Sequence, residues 1–267
     1  MAHSVLVTND DGIRSPGLSA LISSLSSRGL EVYVVAPRDQ VSGAGKSNSF
    51  SVRVEEVDLE GARRAWAIDG RPADSVAIGV RALLPARPSV VVSGINVGPN
   101  VGLTDFFTSG TIGAAIEAAI LGVKAVAASY AALRGLRDDD VLHIKRASEL
   151  VSEIVVRFLD RLDSIDSIDI LNVNFPRGEY RGIVVAPIAD TANIEVYRDG
   201  DTYHVLGWRT DDLDVAYPDG GEGTDVDAIK RGYVSVTPIC LKCMMRSALT
   251  PGSMSELGSL LNGLYSP

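Results

Sequence analysis

Four short, almost unbroken apolar runs, at 4–8, 31–36, 89–93 and 124–129, alternate with longer stretches whose apolar residues recur at helical spacing, at 16–28, 72–84, 110–121 and 140–162. The runs are rich in Val or Ala and lack the in-and-out alternation of a half-solvated strand, so they read as strands covered on both faces. Strands of that kind separated by helices form βαβ units. Together they predict an α/β fold, a three-layer, doubly wound domain around a mostly parallel sheet. Ligands of such sheets bind beyond the carboxyl ends of the strands, where the loops converge. Asp138-Asp139-Asp140 opens the longest helix, where acidic residues complement the helix dipole, and reads as structural.

Beyond 169–176 the pattern turns β-rich, with runs at 181–187, 193–198 and 202–209. The last two flank Asp199-Gly200-Asp201 and read as a hairpin. An acidic, glycine-rich loop at 211–224, a short helix, a strand at 233–237 and an amphipathic tail near 255–261 follow. The chain divides on this reading into a larger region, 1–180, that carries the site, and a smaller C-terminal region, 181–267, that carries the hairpin. No internal repeat or low-complexity linker interrupts it.

Composition narrows the partners. With 267 residues, 46% of them hydrophobic, the chain can bury a substantial core. A formal net charge of −9 disfavours a nucleic-acid duplex, which needs a face rich in Lys and Arg. No apolar run approaches the length that spans a bilayer and the N-terminus has no leader pattern, so the expectation is a cytoplasmic protein with no membrane partner. The 2 cysteines, Cys240 and Cys243, are too few for a disulfide framework, and their C-x-x-C spacing lacks the second ligand pair of a zinc site.

Asn9-Asp10-Asp11-Gly12 stands directly after the first strand. Two adjacent carboxylates there point to a cation site able to hold a phosphate, while the same residues taken alone also fit a turn capping the next helix. Two further loops decide between them. The second strand ends in a small-residue loop, 36–47, that contains Ser42 and Lys46. The third ends in Ser93-Gly94-Ile95-Asn96-Val97-Gly98, with polar Asn96 at its centre, and runs on to Thr108-Ser109-Gly110-Thr111 before an Ala-rich helix. Hydroxyls and N–H groups at that helix start form a phosphate cradle.

Several familiar chemistries do not fit. Gly45-Lys46-Ser47 lacks the earlier glycine of a P-loop, since Gln40 stands there. Gly94, Gly98 and Gly102 do not make a dinucleotide-binding G-x-G-x-x-G, and the adjacent acids are not the Asp-x-Asp of an aspartyl-phosphate enzyme. His3, His143 and His204 share no loop with the acids, and Ser42 has neither a nucleophile elbow nor a His base. A metal-activated water is the economical alternative.

Val7-Thr8-Asn9-Asp10-Asp11-Gly12 followed by Pro16-Gly17 closely resembles the N-terminal signature of the SurE family, stationary-phase survival proteins that act as metal-dependent 5′-nucleotidases. Ordered matches continue through Ala36-Pro37 with Ser42-Gly43, Gly70-Arg71-Pro72-Ala73-Asp74, Ser93-Gly94-Ile95-Asn96 with Gly98 and Asn100, Ser109-Gly110-Thr111, Leu171-Asn172-Val173-Asn174, Thr224-Asp225 and Gly232-Tyr233-Val234-Ser235-Val236-Thr237-Pro238.

The resemblance implies a Rossmann-like N-terminal domain, a protruding C-terminal hairpin used in assembly as a homodimer or homotetramer, and removal of phosphate from nucleoside 5′-monophosphates. It maps the metal ligands onto Asp10, Asp11, Ser42 and Asn96, one divalent ion per subunit; such an oxygen set suits Mg²⁺ or Mn²⁺. Asn9 would position water or phosphate beside the catalytic acids Asp10 and Asp11, and Asn96, Ser109, Gly110 and Thr111 would receive phosphate oxygens. The expected reaction is in-line attack on phosphorus by a metal-activated water; Asp10 or Asp11 is an alternative base, and the proton donor to the leaving alkoxide is unassigned. A broader phosphatase acting on polyphosphate, or a nucleotide-binding assembly module without turnover, is the alternative. The chain departs from the family pattern at 103–108, about one residue longer and with Thr108 where many members have Tyr, and at Arg38-Asp39, an inverted pair.

Overall fold

The computed structural model describes residues 3–161, 167–192, 196–205, 210–246, 250 and 252. The first half runs β1 (Ser4–Thr8), α1 (Pro16–Ser27), β2 (Glu31–Pro37), β3 (Val54–Val57), β4 (Arg64–Ile68), α2 (Pro72–Ile78, continued by wider turns over Gly79–Leu83) and β5 (Val90–Val97). It continues through α3 (Gly102–Thr108), α4 (Gly110–Ile120), β6 (Ala125–Tyr130), α5 (Asp140–Leu159) and β7 (Ile170–Phe175). The remainder adds β8 (Ile183–Val185), β9 (Tyr197–Asp199), β10 (Thr202–His204), α6 (Leu213–Ala216), α7 (Asp225–Lys230), β11 (Val234–Ile239) and α8 (Leu241–Arg246).

Nine strands form one sheet in the order β3-β4-β2-β1-β5-β6-β7-β11-β8. From β4 to β7 every pairing is parallel, whereas β3 runs antiparallel to β4 and β11 antiparallel to β7. The chain winds outward from β1 through β2 to β4, then returns to place β5 on the other side of β1. That reversal opens a crevice between the carboxyl ends of β1 and β5, where doubly wound sheets bind ligands. Residues beyond 180 contribute β8 and β11 to this same sheet.

Side-chain alternation along β1 builds the layers. Val5 and Val7 pack in one core with Leu18, Leu21 and Leu25 of α1 and Val151 and Val155 of α5. Leu6 faces the other, with Val76 of α2 and Ile112 and Ala115 of α4. Burying each such Leu or Val contributes about 1.5–3 kcal/mol. A third cluster, including Val101, Leu133, Tyr217, Val226 and Ile229, joins the C-terminal region to the loops at the carboxyl edge of the sheet. Among the described residues no helix is long and apolar enough to cross a membrane.

Several elements lie where the sequence pattern reads as loop. α3 occupies part of the stretch through Thr108, and α6 part of the acidic loop; they are 7 and 4 residues long, too short for a period to show. β3 is an exposed edge strand of sequence Val-Glu-Glu-Val, without the apolar run that marks the inner strands. β9 and β10 pair antiparallel as a separate two-stranded ribbon, as a hairpin should. The flanks of that hairpin at 193–195 and 206–209, and the tail at 255–261, lie outside the described residues.

Candidate metal and phosphate site

The turn after β1 is fixed by the side chain of Asn9, whose Nδ2 donates to the Gly12 carbonyl at 3.0 Å and to Ser15 Oγ at 2.7 Å. Ser15 in turn caps α1. The buried Asn9 Oδ1 has no protein partner. Asn9 is thus a brace for the turn that presents the two acids, with one oxygen left unmatched beside them.

The two carboxylates are held by opposite walls of the crevice. Asp10 Oδ1 accepts from Thr111 Oγ1 at 2.6 Å, and the backbone N–H groups of Gly110 and Thr111 also point at this carboxylate. The N-terminus of α4, where anions are stabilised by free N–H groups and the helix dipole, therefore supports Asp10. Gly110 has to be glycine: a Cβ there would sit 2.8 Å from Asp10 Cβ. Asp11 Oδ2 accepts instead from the backbone N–H of Val97, at the end of β5, at 3.1 Å.

The loop after β2 is tied down from both sides. Val41 N–H donates to the Asp10 carbonyl and Gly45 N–H to the Thr108 carbonyl, each at 2.8 Å. Lys46 Nζ pairs with the nearly buried Glu117 of α4 at 2.6 Å. Gly45 lies so close to α4 that a Cβ on Gly113 would fall 2.1 Å from its carbonyl oxygen. These contacts fix the loop that puts Ser42 on the same cavity wall as the acids, its Oγ accepting from Gln40 Nε2 at 3.0 Å. From β5, Asn96 lines the cavity and donates through Nδ2 to the Gly98 carbonyl at 2.8 Å, which engages one of its two amide hydrogens.

One cavity of about 480 Å³ results, and Asp10, Asp11, Ser42, Asn96 and Ser109 all line it. Asn9, Gly110 and Thr111 stand behind these residues and not on the wall itself; the hydroxyl of Thr111, read from sequence as a phosphate donor, goes to Asp10. Ser109 caps α4 by accepting from Ile112 N–H at 3.2 Å, so its own hydroxyl hydrogen is available to the cavity. Arg38 sits off this wall, paired with Asp69 and Glu55.

Three carboxylates line the cavity, Asp10, Asp11 and Asp105, and among the described residues no Lys, Arg or His does. Burial raises the Asp10 carboxyl above its ordinary value against the pull of Thr111 and the α4 N–H groups. Burial, and then the charge of Asp10, push Asp11 up to about 7, with the Val97 N–H opposing. The pair is short of positive charge. Among the described residues no group of three or more His, Cys, Asp or Glu could hold a metal ion, so a cation here would rest on the Asp pair completed by neutral oxygens. The residues fit that demand: two carboxylates, a hydroxyl and an amide oxygen make a hard, oxygen-only set.

Sequence reasoning missed Asp105, Tyr217 and the structural part of Asn100. Tyr217 is fully buried, and its hydroxyl donates to Asp105 Oδ2 at 2.7 Å. Asn100 N–H donates to Asn174 Oδ1 at 2.7 Å, while Asn172 Nδ2 donates to the Asn100 carbonyl at 2.9 Å, so the Asn-Val-Asn of β7 clamps the cavity loop. Asp225 is likewise a clamp, accepting from the N–H groups of Gly102 and Ala189. Each partner lies over 30 residues away in sequence, beyond any local signal. Cys240 and Cys243 are bonded to each other, away from the cavity wall.

This architecture has relatives. The family model described as survival protein SurE matches residues 5–195. A 5′-nucleotidase SurE from Pelotomaculum thermopropionicum is 39% identical over 243 residues, covering 88% of this chain and 88% of that one. Another, from Methanothrix thermoacetophila, is 41% identical over 254 residues, with 89% and 92% covered. The crystal structure of SurE from Aquifex aeolicus superposes with a TM-score of 0.74 at 32% identity, covering 96% of this chain and 99% of that one. With the family's model matched over residues 5–195 and relatives about 40% identical over most of both chains, the chain belongs to the SurE family.

Proposed function

We propose that the protein is a metal-dependent 5′-nucleotidase that hydrolyses nucleoside 5′-monophosphates to nucleoside and phosphate. The observation that carries this reading is the imbalance of the cavity: three carboxylates and no cationic side chain on its described wall. A phosphate dianion brought to these acids meets no cationic side chain on that wall, and at about 4 Å and an effective dielectric of about 20 each ionised carboxylate costs it about 4 kcal/mol per pair of unit charges. A divalent cation reverses that sign, and the family's relatives are named as 5′-nucleotidases.

Asp10, Asp11, Ser42 and Asn96 would hold one Mg²⁺ or Mn²⁺ per subunit. When bound, such an ion supplies charge neutralisation at the phosphoryl group and a lowered pKa for water. The chain's own residues do the rest. Thr111, Gly110 and Val97 fix the two carboxylates from opposite walls. The Ser109 hydroxyl and the second amide hydrogen of Asn96 would donate to phosphate oxygens, with the positive end of α4 behind Asp10 stabilising the accumulated negative charge. Asn9 braces the turn that presents the two acids. A cytoplasmic setting and a homodimer or homotetramer built through the β9–β10 hairpin belong to the same reading.

Phosphate release from a panel of nucleoside 5′-monophosphates and a short polyphosphate tests it. The expected result is release from the monophosphates that chelator abolishes and Mg²⁺ or Mn²⁺ restores. Release confined to polyphosphate would contradict the nucleotidase reading.

A further inference from the structure

The cavity's third carboxylate belongs to none of the groups that would hold a cation. Asp105 lies on α3, and the backbone N–H of Ser109 donates to its carbonyl at 3.0 Å, so Asp105 stands one helical turn before the residue expected to receive phosphate. Residues four apart on a helix have Cβ atoms about 5–6 Å apart on the same face. Its side chain is partly buried, lines the same cavity as Asp10 and Ser109, and is held through Oδ2 by the Tyr217 hydroxyl at 2.7 Å. Building on the nucleotidase reading, we propose that Asp105 is the catalytic acid that protonates the leaving nucleoside oxygen, with Tyr217 as its positioning residue.

The oxygen of a water forms a bond to phosphorus as the bond from phosphorus to the nucleoside oxygen breaks, and that water releases one proton to solvent. The departing alkoxide takes the proton of the Asp105 carboxyl group, and Asp105 regains one from solvent. Phosphate and a neutral nucleoside leave.

The surroundings of Asp105 suit this task. Burial, and after it the neighbouring Asp225 of α7, push its carboxyl up to about 7, with the Tyr217 hydroxyl pulling the other way. α3 carries no other ionisable side chain; the cavity adds Asp10 and Asp11, and Lys230, which donates to the Tyr217 carbonyl, is also paired with Asp214. A general acid works best with a pKa near the operating pH.

The test compares wild type, Asp105→Asn and Tyr217→Phe on two esters with Mg²⁺ or Mn²⁺. A nucleoside 5′-monophosphate has an alkoxide leaving group that needs a proton, whereas p-nitrophenyl phosphate releases a phenolate that does not. For Asp105→Asn we expect kcat/KM on the nucleotide to fall about 10²- to 10⁴-fold further than on the aryl ester. The alkaline limb of the nucleotide kcat profile should vanish with it. Tyr217→Phe keeps the carboxyl group and removes a donor that favours its charged form, so the alkaline limb should move to higher pH. That variant carries the test alone if Asp105→Asn does not fold, as read by circular dichroism. Equal losses on both esters with an unmoved pH profile would overturn the role of Asp105 and leave the nucleotidase standing. No release from either ester by folded wild type would overturn both.

Discussion

Asp10 and Asp11 are neighbours in the chain yet are gripped by different elements, Asp10 by the start of α4 and Asp11 by the end of β5. Adjacency at a strand end made both legible in the sequence, because the doubly wound pattern fixes where strand ends go. Asp105 was not legible, since burial and a tyrosine 112 positions away create its character. Asp140 shows the same contrast. Read from sequence as a dipole partner, it is in fact a buried anchor: it accepts from Tyr130 Oη at 2.7 Å, Arg137 N–H at 2.7 Å and Arg177 Nη2 at 2.5 Å. Burial alone would raise its carboxyl, but the Arg137 N–H, Arg177 and Tyr130 together hold it below the usual carboxylate range. A depressed folded-state pKa stabilises the fold above the ordinary value of about 4 and loses that contribution as pH falls through the lower, folded one. Asp140→Asn should therefore cost about 1–3 kcal/mol in urea unfolding at pH 7, by removing the buried partner of Arg177 and leaving it only the longer contact with Asp211 at 3.4 Å. The gap to wild type should narrow below about pH 4; a gap that stays constant with pH would refute the ionic account.

At the scale of elements, the inner strands and the long helices α1, α4 and α5 follow directly from apolar periodicity. The elements that escape it are short or exposed, and their placement comes from tertiary contacts. The loop after β2 is the instructive case. Its small residues signal close approach, but only the packing shows that Gly45 and Gly113 meet and so carry Ser42 to the wall that the acids line. Gly113→Ala drives a methyl group to within 2.1 Å of a backbone oxygen, and the loop has to give way. The expected outcome is a protein that still folds but binds Mn²⁺ about 10- to 100-fold more weakly by calorimetry, the range seen when supports of metal ligands are removed. Unchanged affinity would mean that Ser42 is not positioned by this contact.

At the scale of the molecule, the β9–β10 ribbon pairs with no other described strand and exposes Tyr197, Tyr203, Val196 and Val205. A two-stranded hairpin is marginal in water without a surface to pack on. Deleting residues 193–209 should reduce the mass measured by light scattering to that of one chain, and an unchanged oligomer would remove the hairpin from assembly. The account as a whole rests on the acid pair holding a cation for phosphate chemistry. Its most direct test measures hydrolysis of nucleoside 5′-monophosphates by wild type and Asp11→Asn, side by side, with Mn²⁺ and with chelator. The variant loses one of two crowded, buried like charges, so its melting temperature without metal should be no lower than that of wild type, while its Mn²⁺-dependent turnover falls roughly 100-fold or more, about 2.7 kcal/mol of barrier. Near-normal, metal-dependent turnover by Asp11→Asn would contradict the account.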